Sequence, residues 1–326
     1  MPPNLGGARD RTYIRMAKTN QNVIDADARL FHASAWRTLS ASLTLSDSLV
    51  LSAIQQASGA DVKEKFYKDI STEGYAITHC IVGEPERSAM VRGIDEIRAR
   101  NFSPIWALMY DEFWEMYAQF SSIAGHVLGE NYRHVTGNYA FVVENSDSAA
   151  GWGVHRDMPY ASSLRDDGSP KIMSFWVALT DATPLNSCLY CVPASRDVNY
   201  PDNLASVEIP RVEDIECMAI RAGHAIGLNH SLLHWGSRSS RRGSDRRISV
   251  VFDLQRGDCE RYHHATIDVR DPLSFEQRAA YVAHNVLWLR KYNVPFSDAN
   301  LALAKAIVSR YGDAILLPDS FYDEYV

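Results

Sequence analysis

The chain has 326 residues, of which 46% are hydrophobic and 22% charged, and its formal net charge at pH 7 is −7. Its sequence pI of about 5.9 argues against a nucleic-acid-binding protein, which normally carries a basic surface. The sequence has no run of eighteen apolar residues and no apolar region of the signal-peptide kind. We therefore expect a cytoplasmic protein that does not enter a membrane.

The first half of the chain is predicted to be largely helical after a poorly ordered start. Residues 1–25 are polar and contain Pro-Pro and Gly-Gly pairs, so we expect little order there. Residues 26–326 are predicted to form a single domain. The region 69–81 indicates a turn and a first strand. Apolar residues then recur at helical spacing from Ile105 to Val127, which predicts an amphipathic helix packed on a sheet.

The second half is predicted to be mainly β, with helices at its end. Residues 138–144, Asn-Tyr-Ala-Phe-Val-Val-Glu, are typical of a strand, and we place the β core at about residues 134–256. Helical periodicity returns over residues 272–311 and predicts a C-terminal helical cap at about 270–326. The expected fold class is mainly β with flanking helices.

A possible metal site is the most informative feature of the sequence. His155 and Asp157 lie two residues apart, and on a strand such residues point to the same face. His234, in Ser-Leu-Leu-His-Trp-Gly-Ser, provides a third ligand from another strand. Two histidines and one carboxylate on one face of an octahedron are the ligand set of non-haem Fe(II) oxygenases. The alternative for His-x-Asp alone is an exposed loop histidine beside a capping aspartate.

The sequence around these residues resembles the phytanoyl-CoA dioxygenase family. The segment 171–196 contains Trp-Val-Ala-Leu-Thr-Asp and a strand ending in Pro-Ala-Ser-Arg, similar to the family's Trp-x-Ala-Leu-x-Asp and Pro-Gly-Ser-His. The segment 221–237 is similar to the strand that carries the family's distal histidine. The matched blocks cover roughly residues 60–256. Ser187 and Arg196 depart from the family pattern, but neither is a proposed ligand.

This resemblance implies a fold and a reaction. The fold is a double-stranded β-helix, or jelly roll, with N- and C-terminal helices. His155, Asp157 and His234 would bind Fe(II), with 2-oxoglutarate and O₂ as cosubstrates. The reaction would oxidise a C–H bond of a small-molecule metabolite, such as a natural-product intermediate, and release succinate and CO₂. Hydroxylation is expected rather than halogenation, because the related halogenases lack the carboxylate that Asp157 provides.

The resemblance also implies an arginine that binds the far carboxylate of 2-oxoglutarate. Arg246 and Arg247 compete for this role, and strand alternation lets only one of them face inward. The family position favours Arg246, whereas the Arg-x-Ser pattern of Arg247 with Ser249 favours Arg247. We prefer Arg246. Asn138, on the strand before the His-x-Asp segment, is predicted to lie near the cosubstrate, with an ordinary strand-edge residue as the alternative.

Several alternatives remain open at this point. Trp152, Met158 and Tyr160 are candidates for the substrate pocket, although core packing would explain them equally well. His230 competes with His234 as the third ligand, and the small residues after His234 favour His234. Two alternatives to the oxygenase are a catalytically silent jelly-roll module with a binding or regulatory role and a metal-dependent cupin-like enzyme that does not use 2-oxoglutarate.

Overall fold

The computed structural model describes residues 28–51, 59–159, 163–209, 211–259, 265–292 and 294–315. The segment predicted to be poorly ordered, 1–25, lies outside these residues, as do residues 316–326 of the predicted cap. The division into domains stays a prediction.

Helices and strands occur throughout the described residues. The α-helices are α1 (Ala33–Arg37), α2 (Ala60–Thr72), α3 (Glu84–Ala99), α4 (Asp111–Gln119), α5 (Ser121–Leu128), α6 (Phe275–Arg290) and α7 (Asp298–Tyr311). The strands are β1 (Ser48–Leu49), β2 (Tyr75–Ile77), β3 (Arg133–Val143), β4 (Ile172–Ala178), β5 (Leu189–Val192), β6 (Glu216–Met218), β7 (Ala225–Asn229), β8 (Leu233–Gly236), β9 (Arg247–Gln255), β10 (Thr266–Ile267) and β11 (Leu273–Ser274). None of the described helices is long and apolar enough to cross a membrane.

The strands form two main antiparallel sheets. The large sheet has the order β10-β3-β9-β4-β7-β2, and the small sheet has the order β6-β5-β8. The chain passes from β3 and β4 in the large sheet to β5 and β6 in the small one. It then returns to the large sheet for β7, crosses again for β8 and comes back to the large sheet for β9 and β10. This alternation between facing sheets is the jelly-roll arrangement, which confirms the predicted fold class.

The large sheet has two different faces, as strand alternation requires. On β9, Ile248, Val250, Phe252 and Leu254 belong to the core shared with the helices. Val251, between them, packs with Trp176 in the core between the two sheets. Arg247, Ser249 and Asp253 have the parity of Val251, so they face the space between the sheets. The helices therefore cover the outer face and leave this inner space for a polar site.

The helix predicted over residues 105–127 is interrupted. A 3-10 helix, Pro104–Met109, is followed by α4 and α5. The chain leaves the helix at Tyr110 and again at Phe120. The backbone of Tyr110 is extended (φ −85°, ψ 154°), and its hydroxyl donates to the carbonyl of Trp36 at 2.6 Å. The prediction was correct about burial and wrong about continuity, because periodicity does not reveal a tertiary contact that holds a residue out of the helix.

Candidate active site

The two histidines of the candidate metal site lie directly opposite each other. His155 is in an extended segment outside any regular strand, and a single antiparallel bridge joins it to His234 on β8. The amide of each histidine donates to the carbonyl of the other at 3.0 Å. Their ring centroids are 4.3 Å apart. The predicted strand around His155 is thus reduced to one bridge, yet that bridge brings the two side chains together.

Asp157 completes a cluster with these histidines. Its carboxylate oxygens lie 3.3 Å from Nε2 of His155 and 3.9 Å from Nε2 of His234. Possible ligand atoms of the three residues all lie within 4.8 Å of one another. His234 is opposite Cys191 in the register, and Cys191 belongs to the core between the sheets, so the cluster faces that inner space.

Backbone carbonyls orient both imidazole rings. The Nδ1 of His155 hydrogen-bonds to the carbonyl of Gly153 at 2.7 Å, and that of His234 hydrogen-bonds to the carbonyl of Leu232 at 3.1 Å. A carbonyl can only accept, so each Nδ1 carries the proton and each Nε2 is free to bind a metal ion. This donor set fits Fe(II), which accepts imidazole nitrogen and carboxylate oxygen.

Burial and mutual charge set the protonation of the cluster. Burial, together with the neighbouring His155, lowers the pKa of His234 to about 4. Burial by itself lowers the pKa of His155, but the hydrogen bond and charge of Asp157 raise it overall. Burial raises the pKa of Asp157, yet the adjacent histidines lower it well below its usual range. At neutral pH Asp157 is therefore ionised and His234 is neutral, which are the forms that bind metals.

Arg247 is a buried cation without an anionic partner. Its residue exposure is 1%, and its guanidinium carbon lies 5.1 Å from the ring centroid of Trp176 and 5.7 Å from that of Phe141. Among the described residues no carboxylate pairs with it, and its Nε has no hydrogen-bond partner. Burial lowers its pKa to about 10, so it remains charged at neutral pH. An unpaired buried charge is costly, and this one indicates a place for an anion.

Ser249 and two aromatic residues connect Arg247 to the metal cluster. Ser249, two residues along β9, is on the same face, and its buried hydroxyl has no hydrogen-bond partner within the described part of the chain. The Phe141 ring that Arg247 contacts lies 5.9 Å from the Trp152 ring, which lies 5.6 Å from the ring of His155. The arginine and the metal cluster are thus at two ends of one continuous set of side chains.

Arg246 faces away from this site, contrary to our preference. Its side chain is one-third exposed and forms an ion pair with Asp95 of α3. The expectation that only one of the two arginines faces inward was correct, but Arg247 is that residue. The sequence could not place the phase of the strand, because both positions fit the family pattern.

Asn138 lies on the other side of the sheet from the cluster. Its Oδ1 accepts from the backbone amide of Asp253 at 3.1 Å, and its backbone amide donates to Oδ1 of Asn285 on α6 at 3.2 Å. The β3–β9 register shifts between Val135 and Tyr139, and this irregularity surrounds Asn138. The structure therefore does not bring Asn138 together with Arg247, although the sequence predicted Asn138 near the cosubstrate.

The remaining candidates are only partly near the cluster. Trp152 packs beside His155, as described above. The amide of Met158 donates to the carbonyl of His230 at 2.8 Å, and Met158 is half-buried. Tyr160 lies outside the described residues. The ring of His230 hydrogen-bonds to the hydroxyl of Ser174 at 2.9 Å, and that hydroxyl donates to Asp253 at 2.7 Å. His230 is thus held in a separate network.

One residue at the site was not considered from the sequence. Arg156, between the two ligands of the His-x-Asp segment, has a fully buried side chain that forms an ion pair with Asp197 at 2.6 Å. Alternation places it opposite His155 and Asp157, and a charged residue at such a position needs a buried partner. The position of Arg156 in the sequence therefore indicated a buried partner, but the sequence did not identify Asp197 as that partner.

Comparison with known proteins supports the same interpretation as the geometry of the metal cluster. The family described as phytanoyl-CoA dioxygenase (PhyH) matches residues 68–248. None of the curated proteins compared matches the chain.

Solved structures with similar folds have low sequence identity. The apo form of the non-heme monooxygenase ThoJ has a TM-score of 0.51 and 14% identity, covering 75% of this chain and 99% of ThoJ. The non-heme alpha-ketoglutarate-dependent epimerase SnoN from nogalamycin biosynthesis has a TM-score of 0.48 and 16% identity, covering 64% of this chain and 84% of SnoN. The likeness to ThoJ shows a shared fold. Because the family match spans more than half of the sequence, the chain belongs to the phytanoyl-CoA dioxygenase family of iron- and 2-oxoglutarate-dependent enzymes.

Proposed function

We propose that the protein is an Fe(II)- and 2-oxoglutarate-dependent oxygenase that hydroxylates a C–H bond of a small-molecule metabolite, such as a natural-product intermediate. In this proposal His155, Asp157 and His234 hold the metal, and Arg247 with Ser249 binds the far carboxylate of 2-oxoglutarate. The observation that carries it is the buried, unpaired guanidinium of Arg247, which faces the same inner space as the metal cluster.

The protein's own groups position the reactants. When bound, iron with 2-oxoglutarate and O₂ supplies the oxidation of the C–H bond and releases succinate and CO₂. His155, Asp157 and His234 are the residues that would hold the metal, and three protein ligands would leave it able to bind other molecules as well. The carbonyls of Gly153 and Leu232 fix the two imidazole rings, so little reorganisation accompanies metal binding.

Arg247 is suited to a carboxylate in particular. Its planar guanidinium presents parallel N–H donors that match the two oxygens of a carboxylate, and Ser249 adds a hydroxyl donor. Phe141 and Trp176 flank the guanidinium and exclude water from it. In such surroundings a charge-assisted hydrogen bond is stronger than in water. Binding of the cosubstrate would also remove the cost of an unpaired buried cation.

The two alternative functions make different demands on these residues. A silent binding module would need neither the oriented imidazoles nor the unpaired arginine, and both are present. A cupin-like enzyme without 2-oxoglutarate would use the metal cluster but would have no role for Arg247. The arrangement therefore favours the 2-oxoglutarate-dependent reaction.

The test is metal-dependent succinate formation under O₂, with and without 2-oxoglutarate. We expect slow succinate release by the Fe(II)-loaded protein, increased by its substrate, and a loss of at least about a hundredfold in Asp157→Ala and His234→Ala. The exposed arginine variant Arg246→Met is the matched control and should retain this turnover.

Two results would contradict the proposal. O₂ consumption that needs iron but not 2-oxoglutarate would indicate the cupin-like enzyme. If anaerobic 2-oxoglutarate produced no visible charge-transfer band with the Fe(II) protein, and no succinate formed under O₂, the binding module would be favoured.

A further inference from the structure

Arg156 is fixed by three contacts on the side of the His-x-Asp segment opposite the metal cluster. One guanidinium nitrogen bonds to Asp197 at 2.6 Å, a second donates to the carbonyl of Ser231 at 2.7 Å, and Nε donates to the carbonyl of Ser206 at 3.3 Å. Neither charged side chain has any solvent exposure. The whole guanidinium is therefore used to join three chain segments.

Two of these segments lie next to metal ligands in the sequence, and the third meets them through Arg156. Ser231 is in the turn between β7 and β8, three residues before His234. Asp197 and Ser206 belong to the loop that connects β5 to β6, hereafter the β5–β6 loop. Arg156 itself is the neighbour of both His155 and Asp157. One side chain thus connects the two parts of the chain that carry the three ligands.

The segment that carries His155 has little regular structure of its own. Its backbone bonds to β8 include the bridge between His155 and His234 and a hydrogen bond from the amide of Gly236 to the carbonyl of Trp152 at 2.8 Å. Contacts on the Arg156 side add to this bridge: the amide of Met158 donates to the carbonyl of His230, and the hydroxyls of Ser163 and Ser231 are 2.5 Å apart. The position of Asp157 relative to His234 is therefore set by a few backbone bonds together with side-chain contacts, rather than by a regular strand ladder.

The β5–β6 loop provides a firm partner for Arg156. Asp197 accepts a hydrogen bond from the amide of Asn199 at 3.0 Å, while its own amide donates to the carbonyl of Pro193 at 3.0 Å. The loop is also joined to the end of β7, where Asn229 donates to the hydroxyl of Tyr200 at 3.2 Å. Asp197 is thus held in one place and can define where Arg156 lies.

We propose that Arg156 and Asp197 form a positioning clamp that sets the spacing of Asp157 and His155 relative to His234, so that metal affinity depends on the β5–β6 loop. Neither residue touches the metal; both act through the ligands. The clamp needs an arginine, because three acceptors in different directions require the fork of a guanidinium. This inference rests on the metal site of the proposed function.

A buried ion pair with only a structural role would behave differently from a clamp. Replacement of such a pair by apolar residues of similar volume often preserves stability or increases it. The double variant Arg156→Met with Asp197→Leu removes both charges and leaves no unpaired partner. It also removes the hydrogen bonds to Ser231 and Ser206, so the clamp is lost while the stability of the fold is expected to be kept. A change in metal affinity can then be measured without a large change in stability.

The experiment is a Co(II) titration of the metal-free protein, followed by visible absorption, together with thermal unfolding of the same samples. The variants are Arg156→Lys, Asp197→Asn and the double variant. The control is Arg196→Met. Arg196 lies in the same loop as Asp197 and forms an exposed ion pair with Glu216 of β6. We expect Co(II) affinity to fall at least tenfold in all three clamp variants, with an altered absorption band, and less than twofold in the control.

The double variant decides between the two roles. The clamp predicts an unfolding temperature close to that of the wild type with Co(II) affinity still reduced. Wild-type Co(II) affinity in the double variant would overturn the clamp. Wild-type Co(II) affinity in Arg156→Lys would overturn it as well. The variant Asp157→Ala separates the clamp from the proposed function. If Asp157→Ala keeps wild-type Co(II) affinity, the metal site and the clamp are both wrong. If Asp157→Ala loses Co(II) affinity while the three clamp variants keep it, only the clamp is wrong.

Discussion

Two buried arginines in this protein have opposite surroundings. Arg278, on α6 in the helical layer, bonds to Asp111 at 2.5 Å, to the carbonyl of Met109 at 3.0 Å and to the carbonyl of Ser46. Arg247, on β9, is equally buried but has aromatic rings for neighbours and no carboxylate among the described residues. Burial lowers the pKa of both, and the charge of Asp111 opposes that effect only at Arg278.

This difference distinguishes Arg278, which has a structural role, from Arg247, which we propose binds a ligand. The cost of burying Arg278 is offset within the protein itself, so its role is complete when the chain folds. The cost of burying Arg247 is offset by no described carboxylate and only in part by its contacts with the Phe141 and Trp176 rings, so an anion from solution can offset the remainder. The predictions below test this distinction, starting with the largest expected effect.

Removal of Arg278 should be the most damaging change. Arg278→Met leaves Asp111 as an unpaired buried carboxylate, so we expect the free energy of unfolding to fall by about 3–5 kcal/mol. Urea unfolding of the metal-free protein measures this loss. A change below about 1 kcal/mol would show that the pair is not essential for the helical layer and would weaken the comparison.

The buried histidine His134 makes the stability of the fold depend on pH. Burial lowers the pKa of His134 to about 3, from 6.5 in its unperturbed state. The unfolded chain therefore binds a proton that the folded chain does not, and stability decreases as the pH falls from about 6.5 towards 3. At pH 4.5 we expect a loss of about 2–3 kcal/mol relative to pH 7.

The variant His134→Phe should lack this part of the acid destabilisation. Its ring can retain the stacking that His134 makes with Phe252. Comparison of urea unfolding at pH 7 and pH 4.5 in both proteins gives the difference. An equal loss in the two proteins would mean that His134 is protonated in the folded state, against the low pKa.

Removal of Arg247 should have little effect on the ligand-free fold. Arg247→Met leaves no stranded anion, so its free energy of unfolding should remain within about 1 kcal/mol of the wild type, or increase. The same urea measurement serves here. A loss as large as that of Arg278→Met would indicate an internal partner for Arg247 and would end the distinction between the two arginines.

Arg246→Met should be the smallest change. The ion pair between Arg246 and Asp95 is one-third exposed, and such pairs contribute about 0–1 kcal/mol. Thermal unfolding at low and high salt would detect the difference, since salt screens exposed pairs. A loss above about 2 kcal/mol would show that α3 depends on this contact.

The metal cluster was the part of the site that the sequence located best. His-x-Asp has a spacing that places two ligands on one face, and the residues after His234 distinguished it from His230. The fold class followed from the same resemblance and is confirmed. These predictions depend on local spacing and on motifs, which are visible in a single sequence.

The errors arose where the answer depends on tertiary structure. The choice between Arg246 and Arg247 required the phase of β9, and the expected role of Asn138 required a register without the shift near Gly137. The pairing of Arg156 with Asp197 joins residues 41 positions apart with no periodic signal. Residue type alone indicated that a buried arginine needs a partner, but only the fold identifies it.

The most direct test of the central claim is the affinity for 2-oxoglutarate in the anaerobic Fe(II) protein. A charge-assisted contact of about 1.5–3 kcal/mol corresponds to roughly ten- to a hundredfold in affinity. We therefore predict that Arg247→Met weakens 2-oxoglutarate binding at least about tenfold, whereas Arg246→Met changes it less than about threefold. Equal affinities in the wild type and Arg247→Met, or a larger loss in Arg246→Met, would contradict the assignment of Arg247 as the residue that binds the cosubstrate.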